Sequence, residues 1–316
     1  MGKLSGKDLI SIHNLSREDI DMIFTLAAEL KHKLKNNQPH HYLQDKSLAM
    51  IFEKPSTRTR VSFEIGMQQL GGYATNLQQQ DIQIGERESL PDVARTLSRF
   101  VNGILVRTFA HQKLIDLAKY ASVPVINGLS DLLHPCQALA DFFTIKEKKA
   151  HDGPQGLKGL KMAYLGDGNN VCHSLMFAAA KLGVNLTMAT PKGYEPDEVI
   201  TKTAFEDARS YGAEFNILND PVVAAQNADV IYTDVWTSMG QEKESQKRRK
   251  IFAPFQVNSD LLKLAKPDCI VMHCLPAHRG EEITDEVIDG PHSVVFDQAE
   301  NRLHVQKAIL VSLLGG

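Results

Sequence analysis

The chain has 316 residues, of which 43% are hydrophobic and 23% charged, with a formal net charge of -3. That length supports two domains with real cores. The near-neutral balance gives no electrostatic footing for nucleic acid or an anionic membrane surface, so neither is expected as a partner. No apolar stretch is long enough to span a bilayer, and residues 1–8 have neither a signal core nor an uninterrupted basic presequence. A cytoplasmic protein is expected.

Taken in order, Ser16-Arg17-Glu18-Asp19 reads as a helix start, a serine cap with acids in the first turn. Ile20, Ile23, Phe24, Ala27 and Leu30 then repeat at helical spacing. Residues 47–52 predict a buried strand, 57–70 a helix closed by Gly71-Gly72, and 73–77 a short strand. A polar loop over 80–89 precedes a helix opened by Pro91. Strand 104–107, helix 111–120, strand 124–127 and a helix from His134-Pro135 to about Lys148 follow. The glycine-rich stretch 149–159 is the expected domain boundary. Beyond it, strands are expected at 161–165, 184–189, 213–217, 229–234 and 270–273, with 294–296 closing the second sheet. Helices are expected at 171–182 and near 196–211, 221–226, 258–264 and 299–313.

Strand and helix alternate throughout, so the expected fold class is α/β: two doubly wound domains with mainly parallel sheets and an active site in the interdomain cleft. The first domain would run over 1–150, with the last helix, about 299–316, packing back on it. The second would run over 151–298. The polar segment Gln241–Lys250 reads either as a solvated loop or helix or as a mobile lid hinged at Gly240.

The strongest chemical signal is Ser56-Thr57-Arg58-Thr59-Arg60, which follows the apolar run Leu48-Ala49-Met50-Ile51-Phe52 and opens a helix. Helix-start N–H groups, hydroxyl donors and guanidinium forks together make an anion site. Other polar residues fall at expected strand ends: Arg107, His134-Pro135-Cys136-Gln137, Asp234 and His273-Cys274. In an open α/β sheet those ends line the ligand crevice.

Gly166-Asp167-Gly168-Asn169-Asn170 hints at a dinucleotide fold, but Val171 breaks the glycine fingerprint and no acid ends the next strand. An NAD-dependent dehydrogenase is therefore disfavoured. Asn170 is read as holding a polar substrate and Asn169 as a helix cap. The four cysteines, Cys136, Cys172, Cys269 and Cys274, form no CxxC pair, and His273-Cys274 are neighbours expected to point to opposite faces. Neither a disulfide, a metal nor another cofactor is expected.

The combined set resembles the aspartate/ornithine carbamoyltransferase family, in its ornithine-type branch. The matching pieces are Ser56-Thr57-Arg58-Thr59-Arg60, Arg107-Thr108, His134-Pro135-Cys136-Gln137, Asp234 through Gly240, His273-Cys274-Leu275-Pro276 and Glu300-Asn301-Arg302, in family order over nearly the whole chain. The resemblance implies transfer of a carbamoyl group from carbamoyl phosphate to the δ-amine of L-ornithine, giving L-citrulline and phosphate. It implies a phosphate cradle of Ser56, Thr57, Arg58, Thr59 and Arg107. His134, Gln137 and Arg302 would contact the carbamoyl group. Asn170, Asp234, Ser238 and Met239 would clamp ornithine, with Cys274 and Leu275 beside the reacting amine. It also implies a homotrimer, or an assembly of trimers, in which Gln83 reaches the neighbouring site.

Three chemical expectations accompany it. The δ-amine has a lysine-like pKa of roughly 10 and must react neutral, so Asp234 suits the α-ammonium better than the nucleophile. His134 serves as a fixed donor to the developing oxyanion, not as a base. Domain closure and ordering of 237–250 would exclude water. Alternatives are another amine acceptor, N-acetylornithine or putrescine, and a non-catalytic phosphometabolite sensor. The reaction serves arginine synthesis or, reversed, its breakdown.

Overall fold

The computed structural model describes residues 4–78, 82, 87–150, 156–237 and 242–315. Chain contacts divide it into two compact units, Met1–Ala140 with Glu300–Gly316, and Asp141–Ala299. The chain passes between them within two helices, α5 (Pro135–Lys149) and α12 (Val295–Leu314). Among the described residues no helix is long and apolar enough to cross a membrane.

The first unit is built on a parallel sheet of β1 (Ser47–Phe52), β2 (Tyr73–Gln78), β3 (Gly103–Arg107) and β4 (Val125–Leu129), in the order β2-β1-β3-β4. Leu48 through Ile51 are at most 1% exposed, because β1 is central and parallel sheets are covered on both faces. Helices α1 (Arg17–Lys35), α2 (Thr57–Gln69), α3 (Leu90–Phe100) and α4 (His111–Tyr120) connect or flank the strands. At the start of α1, Ser16 Oγ accepts the Asp19 N–H at 3.1 Å, and the Asp19 carboxylate takes the Ser16 N–H at 3.0 Å. This reciprocal capping box satisfies two helix-end donors. The five apolar positions read from the α1 spacing are all buried.

The second unit holds β5 (Lys161–Leu165), β6 (Asn185–Ala189), β7 (Phe215–Leu218), β8 (Val230–Thr233) and β9 (Ile270–His273), again all parallel, in the order β7-β6-β5-β8-β9. Its helices are α6 (Asn170–Leu182), α7 (Glu198–Tyr211), α8 (Pro221–Ala225), α9 (Ser245–Phe252), α10 (Ser259–Leu262) and α11 (Asp285–Ile288). Residues 171–182 of α6 are buried without exception, as its Leu-Met-Phe-Ala-Ala-Ala run dictates. Gly183, in the left-handed region at φ 71°, ends it.

One expectation is overturned. Residues 295–296 are not a closing strand: α12 already begins at Val295. Only a single bridge, Val271 with Ser293, extends the sheet edge there, with the Val294 N–H donating to the Val271 carbonyl at 3.0 Å. The β-branched pair Val294-Val295 mimics a strand locally, but the helix-favouring residues that follow carry the segment.

Helix α12 is tethered in the first unit by buried polar contacts. Lys31 Nζ donates to Asn301 Oδ1 at 2.7 Å, and Lys307 Nζ to Gln69 Oε1 at 2.9 Å, with His40 Nε2 at 3.2 Å. Gly66 lets α2 lie close, since a Cβ there would stand 3.3 Å from Lys307 Cγ. His304 is 1% exposed. Burial, then the Lys307 charge, pulls its pKa down to about 4. Burial likewise depresses His40. Such groups stay neutral in the native state while the unfolded chain protonates near 6.5. Stability is therefore complete above about pH 6.5 and falls as the pH drops towards about 4. Thermal unfolding across that range should show the decline, and His304→Gln should flatten it; an unchanged slope in the variant contradicts the assignment.

Candidate active site

In the first sheet the chain winds outward in opposite directions from β1 and β3, so their carboxyl ends frame a crevice. Ser56 follows β1 and caps α2, its Oγ accepting the Thr59 N–H at 3.3 Å. The first N–H groups of a helix lie outside its own ladder and, with the dipole, favour an anion. Arg107 ends β3 at a register shift, opposite Leu129 rather than Gly128.

Glu53 fastens these two strand ends together. Its N–H donates to the Arg107 carbonyl at 2.9 Å, and its carboxylate accepts Thr108 Oγ1 at 2.5 Å, the Phe109 N–H at 3.2 Å and Lys113 Nζ at 2.9 Å. Burial opposes its ionisation, but those donors hold its pKa below the usual range.

The side chains converge on Thr59, which is fully buried. Its Oγ1 accepts from Arg107 at 3.5 Å and from Arg302 at 3.1 Å. Because both guanidinium groups only donate, the threonine hydroxyl keeps its own hydrogen to give elsewhere. Arg302 also donates to Gln137 Oε1. With the Gln306 amide oriented to suit its neighbours, its oxygen accepts from Arg302 Nε at 3.0 Å and from the terminal nitrogen at 2.9 Å. His134 is 5% exposed; burial first, then the charges of Arg302, Arg107 and Arg58, depresses its pKa well below 6.5. It is a neutral imidazole among cations. Burial pushes the Cys136 thiol up to about 12, so it is inert packing. Arg58 is half-buried and Thr57 exposed. Arg60 lies on the exposed face of α2, paired with Glu64 at 3.0 Å, away from Thr59. A cavity of 620 Å³ beside the loop is lined by Lys54, Ser56, Thr57, Arg60, Asn76 and Gln78 among others.

The second sheet has its switch point between β5 and β8, whose last residues, Leu165 and Thr233, are register partners. Asn169 caps α6, its Oδ1 accepting the Val171 and Cys172 N–H groups at 3.0 and 3.1 Å. The same side chain donates from Nδ2 to Asp234 Oδ2 at 2.8 Å. Cys274 Sγ donates to Asp234 Oδ1 at 3.0 Å. Asn170 opens α6, half-exposed. Leu275 sits at φ 59°, a sparsely populated region for a branched residue, and its N–H donates to His273 Nδ1 at 2.9 Å.

Asp234, His273 and Cys274 bring donor atoms within 4.8 Å of one another, closer than the sequence reading of opposite faces allowed. Both imidazole nitrogens of His273 are nevertheless engaged: Nδ1 accepts from Leu275, and Nε2 lies 3.0 Å from Glu282 Oε1. The ring is therefore the neutral Nε2–H tautomer, with no lone pair left for a metal.

Thr59, Arg107, Gln137 and Arg302 thus meet, with His134 in their field, and Asp234 and Cys274 meet separately in the second unit. Gln83, Ser238 and Met239 lie outside the described residues. Glu53, Gln306, Asp167 and Arg248 were not singled out as site residues. Asp167, beside Asp234 at the switch point, had a sequence signal in the glycine-flanked loop after β5. Arg248 had none, being one of five basic residues on the polar segment 241–250.

Two family profiles match the chain. Residues 7–147 match the carbamoyl-P binding domain of aspartate/ornithine carbamoyltransferase, and residues 158–313 its Asp/Orn binding domain. The chain is 58% identical over 313 residues to an ornithine carbamoyltransferase of Thermococcus kodakarensis, covering 99% of this chain and 98% of that one. It is 58% identical to one of Pyrococcus furiosus described as anabolic, covering 99% and 98%. Among solved structures, the ornithine carbamoyltransferase of Pyrococcus furiosus superposes with a TM-score of 0.96 at 57% identity, covering 100% of this chain and 99% of that one. That of Campylobacter jejuni does so with 0.90 at 40%, covering 96% and 97%. With both halves matched and these relatives aligned end to end, the chain belongs to the aspartate/ornithine carbamoyltransferase family.

Proposed function

We propose that the chain is an ornithine carbamoyltransferase, moving the carbamoyl group of carbamoyl phosphate to the δ-amine of L-ornithine to give L-citrulline and phosphate, a step of arginine metabolism. The observation that carries this reading is the convergence of Arg107 and Arg302 on Thr59, with Gln137 bound to Arg302 and His134 held neutral beside them. Phosphate alone needs cations; an activated carbonyl also needs neutral donors and an amide to read the carbamoyl nitrogen.

Ser56, Thr57, Arg58, Thr59 and Arg107 hold the phosphate. His134, Arg302 and Thr59 donate to the carbonyl oxygen as attack turns it into an oxyanion. Gln137 accepts from the carbamoyl NH2 with the second lone pair of the oxygen that Arg302 already holds. Each donor is fixed before reaction, which is where electrostatic stabilisation is most effective. Asn170, Asp234, Ser238 and Met239 hold ornithine, with Asp234 on the α-ammonium and Cys274 and Leu275 at the δ-nitrogen. The C–O bond to phosphate breaks as the C–N bond forms. Cys274, whose thiol donates to Asp234, accepts a hydrogen bond from the δ-nitrogen, and the amine proton passes to the departing phosphate.

The assembly proposed is a homotrimer or a larger array of trimers, with Gln83 of one subunit serving the next. The first unit offers a fitting surface. Strand β2 is an edge strand with no buried residue, and Tyr73, Val61 and Ile65 are 68%, 49% and 38% exposed. No cofactor is part of the proposal.

Arg58→Ala should weaken carbamoyl phosphate binding strongly while the fold survives; unchanged affinity for a phosphate analogue contradicts the cradle. Thr59→Val should lower kcat by roughly 10²–10³, about 3–4 kcal/mol, the usual effect of losing an oxyanion donor. Asp234→Asn should damage ornithine use far more than binding of carbamoyl phosphate alone, and equal losses contradict the division of labour. Side-by-side assays with ornithine, N-acetylornithine and putrescine should favour ornithine; faster use of either alternative overturns the substrate.

A further inference from the structure

Helix α9 carries Ser245-Gln246-Lys247-Arg248-Arg249-Lys250, a sequence suited to solvent. Three of its basic residues do face solvent, Arg249 pairing with Glu281 at 2.7 Å. Arg248 turns inward and is 3% exposed. Its terminal nitrogen stands 2.6 Å from Asp167 Oδ2, and its Nε donates to the Trp236 carbonyl. Its guanidinium lies 4.6 Å from the ring centre of Tyr194 and 5.0 Å from that of Phe252. Glu244 also approaches it, at 4.0 Å.

A buried ion pair is weak evidence for stability, since desolvating both charges offsets their attraction. Its position suggests another use. Asp167 leaves β5 and Asp234 leaves β8, at the switch point of the second sheet. Among the described residues, the titratable groups also in this neighbourhood include Tyr164, Cys172, Tyr194, Glu244, His273 and Cys274. The Asp167 carboxyl is raised to about 6: burial raises it, Arg248 pulls it down, and Asp234 pushes it up. Without the guanidinium, burial and Asp234 act alone.

We propose that Arg248 is a positioning residue that neutralises Asp167 and seats Trp236, leaving Asp234 as the single carboxylate that meets the amine substrate's charge. The site then accepts a substrate with one ammonium group, the α-ammonium, and a neutral δ-amine. Without Arg248, the pH at which Asp167 ionises would bring in a second unpaired carboxylate, which favours the doubly protonated, unreactive form. This rests on the carbamoyl-transfer reading above, and extends it to the ionic form of the substrate selected.

The test is the pH profile of kcat/KM for ornithine in the whole protein and four variants. Arg248→Met should lower kcat/KM at least tenfold and add an ionisation between about pH 7 and 9 that the unaltered protein, in which Asp167 titrates near 6, lacks. Arg248→Lys should keep the original profile with a smaller loss. Asp167→Asn should raise the ornithine KM several-fold with little change in kcat, because Arg248 is then an unpaired cation. The double variant Asp167→Asn with Arg248→Met should lose the added ionisation. Carbamoyl phosphate affinity should stay constant in all four. The proposal is overturned if Arg248→Met keeps the original profile with a uniformly lower kcat, or if the double variant retains the added ionisation. Should Arg248→Met not fold, an unchanged ornithine KM in Asp167→Asn overturns it. Absence of citrulline from the unaltered protein would instead overturn the carbamoyl-transfer reading itself.

Discussion

The contact between Arg302 and Thr59 spans 243 residues of sequence at 3.1 Å, and the first half of the site depends on it. It needs α12 to lie against α2, which the small Gly66 permits and the Lys307–Gln69 bond reinforces. It needs Thr59 one turn into α2, which Ser56 ensures as the cap. Arg302 itself is buried and therefore requires acceptors, and Gln137 and Gln306 are among those it has.

The two units solve opposite electrostatic problems. The first gathers Arg58, Arg107 and Arg302 and keeps His134 neutral within their field, an arrangement for a dianion and a developing oxyanion. Glu53, the acid at the end of β1, is turned away to Thr108, Phe109 and Lys113, where it braces the loop without competing for those cations. The second gathers carboxylates at its switch point and quiets one of them with Arg248, an arrangement for a single ammonium. A cation-rich half and an anion-rich half suit an anionic donor and a cationic acceptor, and the neutrality of the attacking nitrogen is the constraint both must respect.

Much of this was legible in the sequence because parallel α/β folds place chemistry at strand ends. The run 48–52 followed by Ser56, and Val106 followed by Arg107, marked both the strands and the candidate site at their ends. The acids and cap of Ser16–Asp19 read correctly for the same local reason. What failed was non-local. Val294-Val295 carries strand propensity, but its fate was decided by the helix beyond it. Asn169 read as a cap and is one, yet its other amide atom also holds Asp234, a contact no spacing reveals. Arg248 is indistinguishable from its solvated neighbours until α9 packs on Tyr194. Gln306, on the buried side of α12, offered nothing beyond helical periodicity.

The central claim is that the Thr59–Arg302 centre activates a carbonyl while phosphate departs with the bridging oxygen. Carbamoyl phosphate labelled with 18O at the bridging position, turned over with ornithine, tests it most directly by mass spectrometry of both products. Unlabelled citrulline and phosphate carrying the full label are expected. Label in citrulline, or loss of phosphate without citrulline, would contradict it.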